Sequence, residues 1–395
     1  MEQHLTSQDL TAFAKGELPR EAARAVIAHL LGGCTACRSE SASRWHLGRS
    51  QEPLPEDAYD AGFERVLALV RGGREQGPEQ VAALLQRAWE LRHDSPEETR
   101  RISRMAVLAA DALDAGTYGA PQVADLRGRT WAGYGNACRI AGDLDEARRA
   151  LDRAAETLTQ GTGDLGDRAR LYEFQASLEV ARGSYDSALV ALDAAYALHQ
   201  QRDDSHMAGR VLITKGLYLG HTGRSREAFR ITQRGLGMVE ESREPGLVLA
   251  AIHNQLWFLV ESSRLREARS LLGAHRDRLA TGEAQRLDLL WLEGRIQAGL
   301  RNEAGGLRDL EAAELGFAAA GRRFQAANVK LDQAAIHLRR GDPARALALV
   351  RAAEEALLQL ETPQSTRMAL AFLRRTLAER TTISAPFVLR LADMV

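Results

Sequence analysis

A short phrase recurs down this chain at a nearly constant interval, and that recurrence constrains the fold more than any other feature. Its fullest copy is Ala141-Gly142-Asp143-Leu144-Asp145-Glu146-Ala147. Weaker copies are Arg182-Gly183-Ser184-Tyr185-Asp186-Ser187-Ala188, Thr222-Gly223-Arg224-Ser225-Arg226-Glu227-Ala228, Ser263-Arg264-Leu265-Arg266-Glu267-Ala268 and Arg340-Gly341-Asp342-Pro343-Ala344-Arg345-Ala346. The closing alanines stand 41, 40, 40 and 78 residues apart, and a degenerate copy at Gly306-Leu307 divides the last interval. A glycine suits the left-handed residue that ends a helix, and an Asp such as Asp143 suits the cap of the next, accepting from free N–H groups. Each phrase therefore reads as a hinge between two helices. A fixed period of helical hairpins predicts an α-solenoid, in which every unit buries its apolar face against its neighbours. The expected class is all-α: a small helical segment over 1–50, a linker with one amphipathic helix over 51–77, and a solenoid of about six to seven repeats over 78–395.

Composition narrows the partners. With 395 residues of which 45% are hydrophobic, the chain has enough apolar side chains for a long seam. Its formal net charge of −1 gives no reason to expect nucleic acid or an anionic membrane as a partner. Three cysteines make no disulfide framework, which suits a reducing compartment. The N-terminus lacks a basic region followed by an apolar one, and no run approaches the ~18 apolar residues of a membrane span. The expected location is the cytoplasm.

The first 47 residues carry the sharpest chemistry. Leu10, Phe13 and Ala14 share one helical face, Gly16 and Pro19 break it, and Ala22, Ala23, Val26, Ile27 and Leu30 form the face of a second helix. His29 lies near the end of that helix, and Cys34-Thr35-Ala36-Cys37 follows Gly32-Gly33. One imidazole and two thiolates in this order suit the tetrahedral preference of Zn²⁺. His4 is the preferred fourth ligand, with His46 or Asp9 as substitutes. Four protein ligands leave no open position, so the zinc is expected to be structural. A redox dithiol is the competing reading, but such motifs open a helix after a strand, and no strand pattern precedes Cys34.

His4, His29, Cys34 and Cys37, with the phrase Phe13-Ala14-Lys15-Gly16-Glu17-Leu18-Pro19, resemble the zinc-binding anti-sigma domain. The usual three-residue gap between His and the first Cys is four residues here. The resemblance implies a sigma factor as partner. It also implies that the helix after the Gln51–Glu56 linker, with Tyr59, Phe63, Val66, Leu67 and Val70 on one face, helps to wrap it. The other reading of that stripe is docking onto the zinc bundle or the first repeat.

From Pro78 onward, Val81, Leu84, Leu85, Ala88 and Leu91 form one stripe, and Ile102, Met105, Ala106, Ala109 and Leu113 another. Met105-Ala106 lies 41 residues before Ala147 and marks a divergent first repeat. The repeats resemble the tetratricopeptide pattern in Trp131-Ala132-Gly133-Tyr134-Gly135 followed by Ala147, Leu151 and Ala154. The period near 40 exceeds the ~34 residues of the standard repeat. Leu256 and Arg295 are read as replacing the small first-helix residue in later copies. Helices after Pro363, including Met368 to Ala378, are expected to cap the end.

Resemblance to these arrays implies a concave groove lined by first helices that binds an extended peptide or a partner helix. Arg129, Arg170 and Arg210 occupy equivalent positions there, a potential guanidinium ladder for partner carboxylates. The alternative is a solvated face with paired charges. Asn136, Arg139, His253 and Trp257 are further groove candidates, and Cys138 reads as a buried small residue. No phosphate loop, HExxH, GxSxG or second His/carboxylate cluster occurs. The expected function is therefore non-enzymatic protein binding, as a soluble anti-sigma factor or, alternatively, as a scaffold that recruits an effector protein or peptide.

Overall fold

A computed structural model describes residues 77–92 and 94–358, with isolated positions between 4 and 26. Every regular element from residue 77 to 358 is a helix: α1 Pro78–Leu91, α2 Pro96–Asp111, α3 Ala115–Tyr118, α4 Ala120–Ile140, α5 Leu144–Leu158, α6 Leu165–Ala181, α7 Tyr185–Gln201 and α8 Ser205–His221. The series continues with α9 Ser225–Leu236, α10 Pro245–Glu261, α11 Leu265–Leu279, α12 Glu283–Gly299, α13 Glu303–Ala319, α14 Arg323–Arg339 and α15 Pro343–Leu358. Apart from the single turn α3, these helices pair into seven hairpins stacked in chain order. The array is an all-helical, tetratricopeptide-like solenoid.

The recurring phrase is the hinge of six of those hairpins. In the first copy Gly142 has φ +88°, its N–H donates to Arg139 O, and the Asp143 N–H donates to Cys138 O at 3.0 Å. That pair of bonds satisfies carbonyls the helix end leaves free. The same two bonds close the hinges at Gly183, Gly223, Ser263, Arg301 and Gly341. Ser263 and Arg301 hold φ +59° and +69°, the left-handed geometry without a glycine. Asp143 caps α5 by accepting from the Glu146 N–H at 3.0 Å, and Asp342 does the same for α15 from Arg345.

Spacing from the hinge sets the packing. Ala147, Ala188, Ala228, Ala268 and Ala346 are all fully buried, and Gly306 stands in the degenerate copy. Twelve residues upstream, the first helix presents Gly135, Ala176, Gly216, Leu256, Gly294 and Ala334. A Cβ on Gly135 would sit 3.1 Å from Ala147 O, and one on Gly294 3.1 Å from Gly306 O. The two helices of a hairpin therefore cross with backbones nearly touching. This corrects one expectation: Gly294, not Arg295, holds the small-residue position of its repeat. Leu256 does replace a small residue, and α10 packs on α11 less closely than the helices of the other hairpins. One turn past each anchor, Leu151, Leu192, Leu272, Leu310 and Val350 are buried, each contributing about 1.5–3 kcal/mol.

The first hairpin, α1/α2, carries the stripes expected for it, with Val81 and Ala106 fully buried. No described helix is long and apolar enough to cross a membrane. The segments holding His29, Cys34, Cys37, Tyr59 and Phe63, and the capping helices expected after Pro363, lie outside the described residues.

Candidate protein-binding face

First helices of successive hairpins touch one another, α4 with α6, α8 with α10, α10 with α12 and α12 with α14, whereas no successive second helices pack comparably. A stack that is tighter along its first helices curves with those helices inside. The inner face is therefore built from residues at fixed offsets on α4, α6, α8, α10, α12 and α14.

In the N-terminal half, the expected arginine ladder is divided among different partners. The Nε–H of Arg129 donates to both carboxylate oxygens of Asp167 on α6, at 2.6 and 2.7 Å. Burial raises the pKa of Asp167, and the Arg129 bond opposes that shift. Arg210 donates to Glu244 at 2.7 Å, and the second oxygen of Glu244 lies 3.0 Å from His206 Nε2. Because the Glu240 N–H donates to His206 Nδ1, the neutral form of that ring carries its proton on Nε2 and donates it to Glu244. These pairings run between repeats rather than along one helix, so they staple neighbouring hairpins. Arg170 has a different setting, 5.3 Å from the Trp89 ring centre and 5.7 Å from that of Phe174. Asn136 is buried, and its Oδ1 accepts from Arg139 Nε and Nη2 at 3.1 and 2.9 Å. Burial lowers the pKa of the Arg139 guanidinium.

The C-terminal half carries an aromatic and charged layer across three inner helices. Trp257 on α10 and Trp291 on α12 meet edge to face at 5.1 Å, and Trp291 meets Phe317 at 5.8 Å. The Trp291 indole N–H donates to Asp332 on α14 at 2.6 Å. Arg295 stacks 5.0 Å over Trp257, donates to Glu261 at 2.6 Å and lies 3.5 Å from Asp332. All three charged side chains are at most 10% exposed. Burial raises the pKa of Asp332, with the Arg295 charge opposing. His253, one turn before Trp257, is half-buried, and burial lowers its pKa.

Trp257 is the predicted residue that this layer incorporates. Trp291, Arg295, Glu261 and Asp332 escaped selection as binding residues, although their offsets from the anchors Ala268, Gly306 and Ala346 place them all on inner helices. On the outer side, a cleft of about 590 Å³ lies between α5 and α7, floored by Tyr172 and Gln175 and edged by the exposed Val190. Cys138 is buried, as expected, and burial pushes its thiol pKa up to about 11. Of the four zinc-ligand candidates, only His4 is among the described residues, where it is exposed.

Neither a protein-family model nor a curated protein matches this sequence. Solved structures do match the fold. A Rap protein in complex with Competence and Sporulation Factor aligns with TM-score 0.56 and 10% identity, covering 80% of this chain and 86% of that one. Aspartyl phosphate phosphatase F from Bacillus subtilis aligns with TM-score 0.54 and 11% identity, covering 90% of this chain and 96% of that one.

Proposed function

We propose that this protein is a non-enzymatic cytoplasmic regulator that works by binding other proteins. The inner face of the solenoid receives a segment of one partner, while His4, His29, Cys34 and Cys37 hold a structural zinc ion in an N-terminal unit that contacts a sigma factor. The observation that carries the groove is the Trp257–Trp291–Arg295–Asp332 layer. Trp257 is half-buried and is held by the buried Trp291, itself fixed by its bond to Asp332, and by Arg295 stacked on it, which gives a rigid aromatic face of the kind where binding energy concentrates. The fold similarity adds support, because one of the matching proteins was solved in complex with a factor. The zinc rests on ligand chemistry and spacing, and the sigma factor on the resemblance of those residues to anti-sigma domains.

The test uses the full chain. Dodecapeptides selected on it from a random display library are expected to bind at least tenfold more weakly to Trp257→Ala, and unchanged to Val190→Ala on the outer side. Binders that ignore Trp257 and depend on Val190 would move the site to the outer cleft. For the zinc unit, mass-spectrometric metal analysis of chelator-free protein is expected to find one zinc per chain, lost in C34S/C37S. A captured sigma factor that is lost with that zinc supports the anti-sigma reading, whereas capture by the solenoid without it makes the protein a scaffold.

A further inference from the structure

The arginines that face or flank the inner surface of the first half differ in whether the protein neutralises them. Arg129 is paired with Asp167 and Arg210 with Glu244, so neither adds net charge. Glu173, on the same stretch of α6, is paired with His199 on α7. Arg139 has no carboxylate partner among the described residues: its hydrogen bonds go to the neutral amide of Asn136. It is also half-buried, in the last turn of α4. A guanidinium withdrawn from water without a counter-charge is costly unless an anion completes it, and its remaining N–H donors form a fork that matches a carboxylate.

The surroundings favour one negative charge over two. The last turn of α4 is the negative end of that helix dipole, which supports the arginine itself but disfavours a doubly charged phosphate beside it. The group acting on Arg139 from another inner helix is a hydroxyl, that of Tyr218 on α8, whose oxygen lies 3.5 Å from that of Ser177 on α6. We infer that the first half of the inner face holds an anion subsite in which Arg139 binds a side-chain carboxylate of an acidic protein segment. This rests on the groove reading above and assigns the charge of its ligand.

The probe is fluorescein-labelled hexaglutamate, with hexaglutamine as the neutral control, titrated with full-length protein at low salt and read by anisotropy. Hexaglutamate is expected to bind at least tenfold more tightly, and Arg139→Gln to remove most of that preference. Arg153→Gln, which lies on α5 and loses only an exposed pair with Glu156, is expected to keep it. Asn136→Asp supplies Arg139 with an internal carboxylate and is expected to abolish the preference without removing the arginine, which keeps the test decisive should Arg139→Gln fail to fold. Equal binding of the two peptides, an unaffected Asn136→Asp, or full displacement by millimolar inorganic phosphate overturns the proposal. Selected dodecapeptides that need Trp257 but show no acidic enrichment sink this subsite and spare the groove. Selected peptides that ignore the inner face sink both.

Discussion

At the scale of single residues, the array shows where a repeat departs from its own rule and what that costs. Thr232 occupies the position that holds Leu151, Leu192, Leu272, Leu310 and Val350 in other repeats. It is fully buried, and its hydroxyl has no hydrogen-bond partner among the described residues. An unsatisfied buried hydroxyl costs roughly 1–3 kcal/mol, and valine has nearly the same shape. Thr232→Val is therefore expected to stabilise the protein by about 1 kcal/mol, measured by urea unfolding at constant m; a loss of stability would mean that the hydroxyl has a partner. Opposite it, a Cβ on Gly216 would fall 2.0 Å from that hydroxyl oxygen, so position 216 has room only for glycine. The backbone departures at Ser263 and Arg301 have the same logic. Each holds a left-handed conformation that L-residues adopt at a cost of order 1–3 kcal/mol, and the surrounding hinge bonds hold it in place.

At the scale of elements, charged groups do between hairpins what alanines and glycines do within them. Glu261, Arg295 and Asp332 link α10, α12 and α14, so three repeats share one buried charge network. Burial holds the folded pKa of Asp332 above its ordinary value of 3.8 despite the nearby guanidinium. As pH rises, the unfolded chain releases that proton first, so the stability Asp332 contributes in acid is lost as pH climbs through its folded value. Asparagine cannot ionise. The melting temperature of Asp332→Asn relative to the unsubstituted protein should therefore rise with pH from the ordinary carboxylate range upward, as calorimetric scans across a pH series would show. A difference that stays flat would mean that folding leaves the pKa of Asp332 unshifted, and one that falls with pH would mean that the network holds it ionised.

At the scale of the whole molecule, stability is a sum of hairpins and of the contacts between neighbours, so the loosest hairpin sets where cooperativity breaks. That hairpin is α10/α11, where Leu256 fills the crossing point that glycine or alanine holds elsewhere. Leu256→Ala leaves helices spaced for leucine around a cavity, at a cost of about 2–5 kcal/mol. Far-UV circular dichroism in urea is expected to change from one transition to two, with the arrays on either side of α10/α11 unfolding separately; a single shifted transition would show that coupling survives the gap. The period, the hinges, the buried anchors and the all-helical class were legible in the sequence, because left-handed caps, small crossing residues and apolar spacing are local demands that each repeat states for itself. Part of the inner face was legible in the same way, since an offset from an anchor assigns a residue to the first helix, as the offset of Trp257 from Ala268 does. What the tertiary structure alone decided is which charges on that face are spent. Arg129 and Arg139 look alike in the sequence, but one meets Asp167 thirty-eight residues away across a repeat boundary and the other meets a neutral amide one turn back. Such pairings depend on how neighbouring hairpins stack, and a periodic pattern carries the spacing of the repeats without the rotation between them.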